Sequence, residues 1–359
     1  MSLPPSGEIP QGAIRFNTDS QRLEFYAQGE WWIMSTDTPN LGTSDDSTPG
    51  PRGVFPGGRS GGPTMTDDMD YINISSTGDA LDFGDLITDS FEAGACSSST
   101  RGVKFGGRVF PGSQYQDNLE AYNFASTGSI ADIEDLRTAT VYSCGASNET
   151  RGLIMGGLIH SSYGGSWSGG WNNIDYITIA SFGESIEFGD LSFDNPGGMN
   201  QANSPTRGIF AGGFAPHNGS PGAPGAPALT TTKIQFVTIP TLGNSQSFGD
   251  LINLTSYTSG AGNSIRGIYA GDGATPKTDI EVINISSTGN AVKFGDLEAA
   301  RYAMAAVSSP TRVAWGGAGT YSNDISYVEI ATGGTAVDFG NLTSNRGYQS
   351  GCSNAHGGL

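Results

Sequence analysis

The chain has 359 residues and a formal net charge of −18 at pH 7, with no cluster of basic residues. Because nucleic-acid binding depends on lysines and arginines that neutralise phosphates, this charge argues against a nucleic-acid partner. No stretch approaches the roughly 18 apolar residues of a membrane helix, and residues 1–10 lack the basic and apolar segments of a secretory signal.

The first 35 residues contain three short runs of alternating character. Residues 12–17 and 22–26 flank a polar turn, which predicts a β-hairpin, and residues 30–34 add a third strand. Three short strands bury little apolar surface alone, so we expect this module to dock on a partner. The alternative is an ordinary hairpin packed on the rim of the following domain. The candidate docking residues are Ile14, Phe16, Phe25, Trp31 and Trp32.

Residues 36–50 are rich in Thr, Asp, Ser, Pro and Gly, a composition typical of a linker. The predicted organisation is therefore a β-hairpin docking module in residues 1–35, a linker in residues 36–50 and a repeat domain in residues 51–359.

The repeat domain contains six copies of one pattern. Each copy opens with an arginine and an apolar strand that ends at a glycine pair. An alternating strand follows, then a short strand ending in Phe-Gly-Asp-Leu or a variant of it, then a run of small residues. A period near 50 residues predicts a propeller or a solenoid. The opening arginines, spaced 46 to 59 residues apart, are Arg52, Arg101, Arg151, Arg207, Arg266 and Arg312.

The small residues of the last run in each copy favour a propeller, because its innermost strands converge where large side chains do not fit. We therefore place these runs at the centre and the Phe-Gly-Asp-Leu strands at the rim. The final small run, residues 347–354, has no glycine-pair strand after it, so we expect it to pair with residues 54–57. The predicted fold is all-β, a six-bladed β-propeller closed by a C-terminal inner strand.

The repeated polar residues are expected to serve the blades. We predict that the first five repeat arginines pair with the aspartates of the Phe-Gly-Asp turns. The arginines are Arg52, Arg101, Arg151, Arg207 and Arg266, and the aspartates are Asp85, Asp135, Asp190, Asp250 and Asp296. The alternative is that these residues are solvated surface charges. The glycine pairs should permit a tight exit from their strand.

The widely spaced Cys96, Cys144 and Cys352 match neither a zinc site nor a disulfide framework, and we expect them to be small buried residues. No metal or cofactor site is expected, since His160, His217 and His356 lie in unrelated repeats.

Two loops after the glycine pairs are unusually long, residues 159–173 and 214–232. Trp and Tyr in a Gly/Ser background offer flat apolar area beside adaptable hydrogen-bonding groups, which suits a glycan or a protein surface. The alternative is that these aromatic residues cover a hydrophobic gap or contact a neighbouring subunit. The candidate receptor or glycan contacts are Tyr163, Trp167, Trp171 and His217.

The order of the strands resembles the kelch repeat, with the best match over residues 297–317. Kelch repeats usually carry Trp where this chain has the Phe of Phe-Gly-Asp. Residues 12–32, with Ile14–Arg15–Phe16–Asn17–Thr18–Asp19 followed by Leu23–Glu24–Phe25–Tyr26, resemble a short module of phage tail-fibre proteins. Together the two regions resemble a class of kelch-like structural proteins of tailed bacteriophages, including phages of marine cyanobacteria.

This resemblance implies a non-enzymatic virion protein, tail-associated or fibre-like, present in several copies and without a cofactor. Its partners would be other virion proteins through residues 1–35 and, through the propeller loops, a host-surface glycan or protein. Two other readings stay open: a free carbohydrate-binding lectin, and a propeller enzyme that acts on glycans.

Overall fold

The computed structural model describes residues 9–17, 22–33, 50–62, 64–111, 114–128, 130–160, 167–170, 172–181, 183–192, 200–215, 229–273 and 277–359. Within these ranges the protein is all-β. The described residues form no helix, and therefore no helix that could cross a membrane. The chain divides into two compact units, Met1–Thr48 and Pro49–Leu359.

The first unit contains a three-stranded antiparallel sheet whose strands are Ile14–Asn17, Arg22–Ala27 and Glu30–Ile33. Period-two alternation gives this sheet two different faces. One face carries Arg15, whose Nε donates a 2.7 Å hydrogen bond to Glu24 and whose guanidinium lies 4.1 Å from the ring centre of Trp31. The predicted hairpin and third strand are both present.

The described residues of the second unit form six sheets with the same four-strand pattern, which we number in chain order. Each sheet has an inner, a second, a third and an outer strand, all antiparallel to their neighbours. In that order, the strands are Cys352–Ser353, Arg52–Pro56, Asp68–Asn73 and Leu81–Asp85 in sheet 1, and Gly94–Ser97, Arg101–Phe105, Asn118–Asn123 and Ile130–Asp135 in sheet 2. They are Cys144–Ser147, Arg151–Met155, Asn173–Thr178 and Ile186–Asp190 in sheet 3, and Asn200–Asn203, Arg207–Ala211, Leu229–Thr238 and Gln246–Thr255 in sheet 4. They are Ser259–Gly262, Arg266–Ala270, Lys277–Asn284 and Val292–Arg301 in sheet 5, and Ala305–Ser308, Arg312–Gly316, Ser322–Glu329 and Val337–Arg346 in sheet 6.

Shorter strands accompany these sheets. Gly334–Thr335 pairs in parallel with the outer strand of sheet 5, and Phe214–Ala215 pairs with the third strand of sheet 4. Three small sheets follow or precede the glycine pairs: Arg59–Gly61 with Thr64–Met65, Arg108–Val109 with Gln114–Tyr115, and Thr140–Val141 with Leu158–His160 and Trp167–Gly170.

The last strand of the chain belongs to the first sheet. Cys352 lies opposite Val54, and Ser353 lies opposite Gly53. This pairing confirms that the small run at residues 347–354 returns to the first sheet, although the residues it pairs with are Gly53 and Val54 and not the whole of residues 54–57. The predicted strand order is also confirmed, because the small-residue strand lies at one edge of each sheet and the Phe-Gly-Asp strand lies next to the third strand at the other side.

Hydrophobic clusters fill the spaces between consecutive sheets. Six clusters of buried residues each combine side chains from two neighbouring sheets, and one of them joins sheet 6 to sheet 1. In that cluster Phe55 and Ile72 of sheet 1 pack with Phe339 and Leu342 of sheet 6. The alternating residues of both sheets therefore point into a shared core, as in face-to-face sheet packing. The predicted burial of Cys96, Cys144 and Cys352 is confirmed.

The repeated arginines connect each sheet to the next one. The Nη1 atom of each donates to the main-chain oxygen of the residue that follows the third strand of the next sheet, at 2.6 to 3.3 Å. Several of these guanidinium groups also lie over an aromatic ring of their own sheet, such as Arg207 at 4.8 Å from Phe236. The pairs are Arg52–Phe124, Arg101–Ile179, Arg151–Ile239, Arg207–Ile285, Arg266–Ile330 and Arg312–Ile74, so the sixth contact returns to sheet 1.

The predicted pairing of these arginines with the turn aspartates is therefore wrong. Among the described residues, no ion pair joins them to Asp85, Asp135, Asp190, Asp250 or Asp296; Asp250 instead binds Lys233 and Asp296 binds Lys293, both at 2.8 Å. The physical reason is that an arginine at the start of the second strand lies beside the end of the next third strand, where a carbonyl oxygen still needs a donor.

A polar residue in the third strand makes a second set of contacts between sheets. It accepts a hydrogen bond from the segment at or after the outer strand of the preceding sheet. One example is the amide of Thr343, which donates to Asp70 at 2.9 Å and again links sheet 6 to sheet 1. The acceptors are Asp70, Glu120, Asp175, Gln235, Glu281 and Ser326.

Two glycine motifs have separate structural reasons. The glycine five positions after each repeat arginine adopts a positive φ, for example +66° at Gly57 and +59° at Gly106, which confirms the predicted tight exit from the second strand. In sheet 6 this glycine is Gly317, the second of its pair. The glycine of Phe-Gly-Asp instead touches the turn of the next sheet. A Cβ at Gly249 would lie 2.2 Å from the carbonyl oxygen of Gly289.

Candidate functional site

The candidate site is a ring of residues that precede the inner strands, which we call the mouth. Its described members are Glu92, Tyr142, Tyr257, Ala303 and Tyr348. Each occupies the same place in its repeat, and in sheets 2, 3, 5 and 6 this place is nine positions before the repeat arginine, as 142 is before 151. The equivalent residue of sheet 4, Gly198, lies outside the described residues.

The mouth has an unusual backbone. All five described members have φ between +50° and +61°, although none is glycine. This conformation is costly for residues with a side chain, and such outliers concentrate at functional sites. It allows hydrogen bonds to run from sheet to sheet: Glu92 N to Tyr348 O, Tyr348 N to Ala303 O, Ala303 N to Tyr257 O and Tyr142 N to Glu92 O, at 2.8 to 3.0 Å.

Aromatic rings pack around the mouth. Tyr142 and Tyr257 lie with ring centres 5.3 Å apart, and both contact Phe214, which follows the glycine pair of sheet 4. Tyr348 contacts Tyr257 at 6.0 Å and Tyr302 at 6.2 Å. Phe214, in the segment after the glycine pair of sheet 4, therefore lies on the same face as the mouth.

Glu92 is the acidic group of the mouth. The Nη2 atom of Arg108 donates a 2.9 Å hydrogen bond to Glu92 Oε1 and lies 2.8 Å from Oε2, and the Tyr142 hydroxyl also donates to Oε1. Burial raises the pKa of Glu92 to about 7, and the opposing effects of Arg108 and Tyr142 do not offset it.

A cavity of about 100 Å³ lies inside the mouth. Its wall combines the three tyrosines of the mouth with polar side chains that have atoms without a hydrogen-bond partner in the described part of the chain. Apart from Glu92 Oε2, which lies 2.8 Å from Arg108 Nη2, four polar atoms of the wall have no hydrogen-bond partner among the described residues: Gln201 Oε1, Thr258 Oγ1, Gln349 Oε1 and Ser350 Oγ. Thr258, Gln349 and Ser350 are each less than one tenth exposed. A buried polar atom without a partner costs about 1–3 kcal/mol, so this arrangement favours a polar occupant.

The other ends of the inner strands are closed by serines and by the C-terminal residues. Ser147 Oγ donates to Ser97 O at 2.8 Å, and Ser353 Oγ donates to Ser308 O. The His356 ring lies 3.0 Å from Ser97 O and 3.2 Å from Ser147 Oγ. Burial lowers the pKa of His356 to about 4. The mouth is thus the accessible end of the inner strands for a ligand.

The predicted loop contacts fall mostly outside the described residues. This applies to Tyr163, Trp171 and His217. Trp167 begins the described strand Trp167–Gly170, where its backbone lies opposite His160. The candidate contacts in these loops stay predictions.

The predicted docking residues divide between the two faces of the N-terminal sheet. Ile14, Phe25 and Trp32 lie opposite one another across the three strands, and their exposed fractions are 63%, 36% and 50%. Phe16, two positions after Ile14 on the same face, is 58% exposed. Trp31 lies on the opposite face, packed on Arg15 and Tyr26. The exposed apolar row is therefore Ile14, Phe16, Phe25 and Trp32.

An acidic group lies at the rim of sheet 1. The carboxylates of Asp67, Asp68 and Asp85 can place ligand atoms within 4.8 Å of one another. Burial and the neighbouring carboxylates raise the pKa of Asp85. The group is partly solvent-exposed, and surface carboxylates commonly gather in this way without holding an ion.

No family model and no curated protein matches this chain. Sequence reasoning missed the mouth, although one signal pointed to it. A tyrosine stands nine positions before the repeat arginine in two repeats, Tyr142 and Tyr257, and Tyr348 holds the matching place in the final small run.

Proposed function

We propose that the chain is a structural protein of a bacteriophage particle, tail-associated or fibre-like. In this proposal residues 51–359 form a six-bladed, kelch-like β-propeller, and residues 1–35 dock it to other virion proteins. The propeller then displays its mouth and the neighbouring loops for particle assembly or for attachment to the host surface. The phage assignment is carried by the sequence resemblance of both regions.

The observation that carries the display role is the cycle of arginine contacts. Six side chains link each sheet to the next, and Arg312 reaches Ile74 of sheet 1. Clusters between consecutive sheets and the pairing of Cys352 with Val54 follow the same order. A ring with paired edges is rigid, and loops on a rigid scaffold hold a defined arrangement. The repeated polar residues are used for these contacts, which favours a structural role over a catalytic one.

The docking role is supported by the exposed apolar row. Large apolar side chains aligned on one face of a small sheet mark an interaction surface. Other copies of the chain and other virion proteins are the partners that a multi-copy particle offers to such a surface.

The proposal is tested on purified particles of the phage that encodes this chain. Antibodies raised against the full chain should label intact particles, and the chain should remain with them through density-gradient purification. Absence of the chain from particles that retain infectivity would contradict the proposal. A non-structural phage enzyme detected in the infected lysate serves as the control for carry-over.

A further inference from the structure

We propose that the mouth binds a single neutral sugar residue. The binding wall consists of Tyr142, Tyr257 and Tyr348 together with the polar side chains of Gln201, Thr258, Gln349 and Ser350. This inference deepens the proposed display function and rests on it for its biological role, but the binding itself is a property of the isolated chain.

The polar atoms of the wall match the chemistry of hydroxyl groups. An amide oxygen can only accept, whereas the hydroxyls of Thr258 and Ser350 can donate and accept. A sugar hydroxyl also does both, so one ring can serve all of these atoms in turn. The atoms are not satisfied within the described part of the chain, and three of their side chains are more than nine-tenths buried.

The charge of the wall favours a neutral ligand. Glu92 is the one acidic side chain of the described wall, and Arg108 pairs with both of its oxygens. A ligand with its own charge would have to compete with this pair or remain unpaired in a partly buried site, which is costly. The aromatic rings offer apolar area for the carbon face of a sugar.

The size of the cavity limits the ligand to one residue. A volume of about 100 Å³ lies well below the roughly 300–1,000 Å³ of sites that hold drug-sized molecules. The three tyrosines are partly exposed, so the site is reachable from solvent. A terminal sugar of a longer glycan fits these conditions, as does a free monosaccharide.

The test is a ligand-observed NMR titration of the full chain with methyl glycosides of glucose, galactose and mannose. Glucuronate and glucosamine are the charged counterparts. We expect saturable binding of at least one neutral glycoside and weaker binding of both charged sugars. Saturable binding of none of the neutral glycosides, or preference for a charged sugar, would overturn the inference.

Two isosteric substitutions locate the site. Thr258→Val and Ser350→Ala each remove one hydroxyl from the wall, and each should weaken binding about threefold to tenfold, as expected for one neutral hydrogen bond. Thr258→Ser should retain binding. The matched controls are Thr255→Val and Ser90→Ala, since these hydroxyls are equally buried and also lack a partner among the described residues but do not line the cavity.

The controls should bind the sugar as the unchanged chain does. If the controls lose as much sugar affinity as Thr258→Val and Ser350→Ala do, the effect is general. That result would overturn the assignment of the sugar site to the mouth. The result is independent of particle association: a chain that binds sugar but is absent from particles would contradict the virion proposal alone, and the converse result would contradict the sugar site alone.

Discussion

Cys352 lies opposite Val54 in an antiparallel ladder, although almost the whole repeat domain separates them in sequence. The asparagine that follows extends this contact, because Asn354 N donates to Arg52 O at 3.1 Å and Asn354 Oδ1 accepts from Arg52 N at 2.7 Å. The end of the chain therefore supplies the inner strand that the first repeat lacks. The proposed display of loops on a rigid scaffold requires this pairing between the two ends of the repeat domain.

Replacing one repeat arginine should loosen the contact between two neighbouring sheets. Arg151→Met removes the 2.6 Å hydrogen bond to Ile239 O and the position over the Tyr176 ring. We expect the free energy of unfolding to fall by about 1.5–3 kcal/mol, the range for hydrogen bonds of charged groups. Urea unfolding followed by tryptophan fluorescence measures this change.

The matched control is Lys293→Met, which removes an exposed lysine paired with Asp279 and Asp296. Exposed ion pairs contribute little, so this variant should change the free energy of unfolding much less than Arg151→Met does. Equal effects of the two substitutions would refute the role assigned to the arginines.

The glycine of a Phe-Gly-Asp turn should not tolerate a methyl group. In Gly249→Ala the new Cβ would lie 2.2 Å from Gly289 O, so the two turns must separate. We expect a loss of about 1–3 kcal/mol in the free energy of unfolding, as for other overpacked contacts. Thermal and urea unfolding both report it.

Gly289→Ala is the control from the other side of the same contact. A Cβ at Gly289 meets nothing within 4 Å, so this variant should unfold like the unchanged chain. A wild-type unfolding curve for Gly249→Ala would show that the turns are not in contact.

The stability contributed at Glu92 should depend on pH. Its folded pKa is about 7, above the ordinary value of 4.5, so the folded state holds its proton more tightly than the unfolded state. The cost of ionising it is absent below pH 4.5, grows as the pH rises, and is complete above pH 7. By linkage this cost is about 3 kcal/mol.

Glu92→Gln cannot ionise and avoids that cost. Its free energy of unfolding relative to the unchanged chain should therefore rise by about 3 kcal/mol between pH 4 and pH 8. Urea titrations at several pH values measure the difference. A difference that does not change with pH for Glu92→Gln would contradict the burial of this carboxyl group.

The exposed apolar row of the N-terminal sheet should be needed for association. The double variant Phe16→Ser and Trp32→Ser removes two large apolar side chains that are 58% and 50% exposed. We expect it to be lost from purified particles while the unfolding of residues 51–359 is unchanged. Leu242→Ser, at a 60% exposed leucine of the repeat domain, is the control and should remain in particles. Retention of the double variant would contradict the docking role.

The sequence predicted the parts of the fold that repeat. The number of four-stranded sheets could be predicted from the six repeat arginines. The return of residues 347–354 to the first sheet could be predicted because no glycine-pair strand follows this run of small residues. The partners of the arginines were not predictable, because a side-chain charge suggests a carboxylate, whereas the acceptor is a main-chain oxygen such as Ile239 O that no sequence pattern marks.

The mouth was harder to predict for a related reason. Glu92, Tyr142 and Ala303 differ in chemistry and share only a backbone conformation and its hydrogen bonds. A residue pattern reports side chains, and positive φ usually suggests glycine. By contrast, the alternation in residues 12–33 predicted the N-terminal strands correctly. The prediction nevertheless assigned both Trp31 and Trp32 to the docking surface, although adjacent residues of a strand point to opposite faces.

Disulfide trapping between the first and the last sheet tests the closure most directly. Asn341 N and Nδ2 both donate to Asp79 Oδ1, at 2.9 and 3.2 Å, and both residues are exposed. The double variant Asp79→Cys and Asn341→Cys should therefore form a disulfide within the chain, detected by mass spectrometry after mild oxidation. Asp79→Cys with Asp250→Cys is the control, because the equivalent partner of Asp250 is Asn290 of sheet 5. We predict rapid trapping of the first pair and none of the second, and equal trapping rates for the two pairs would contradict the closed arrangement.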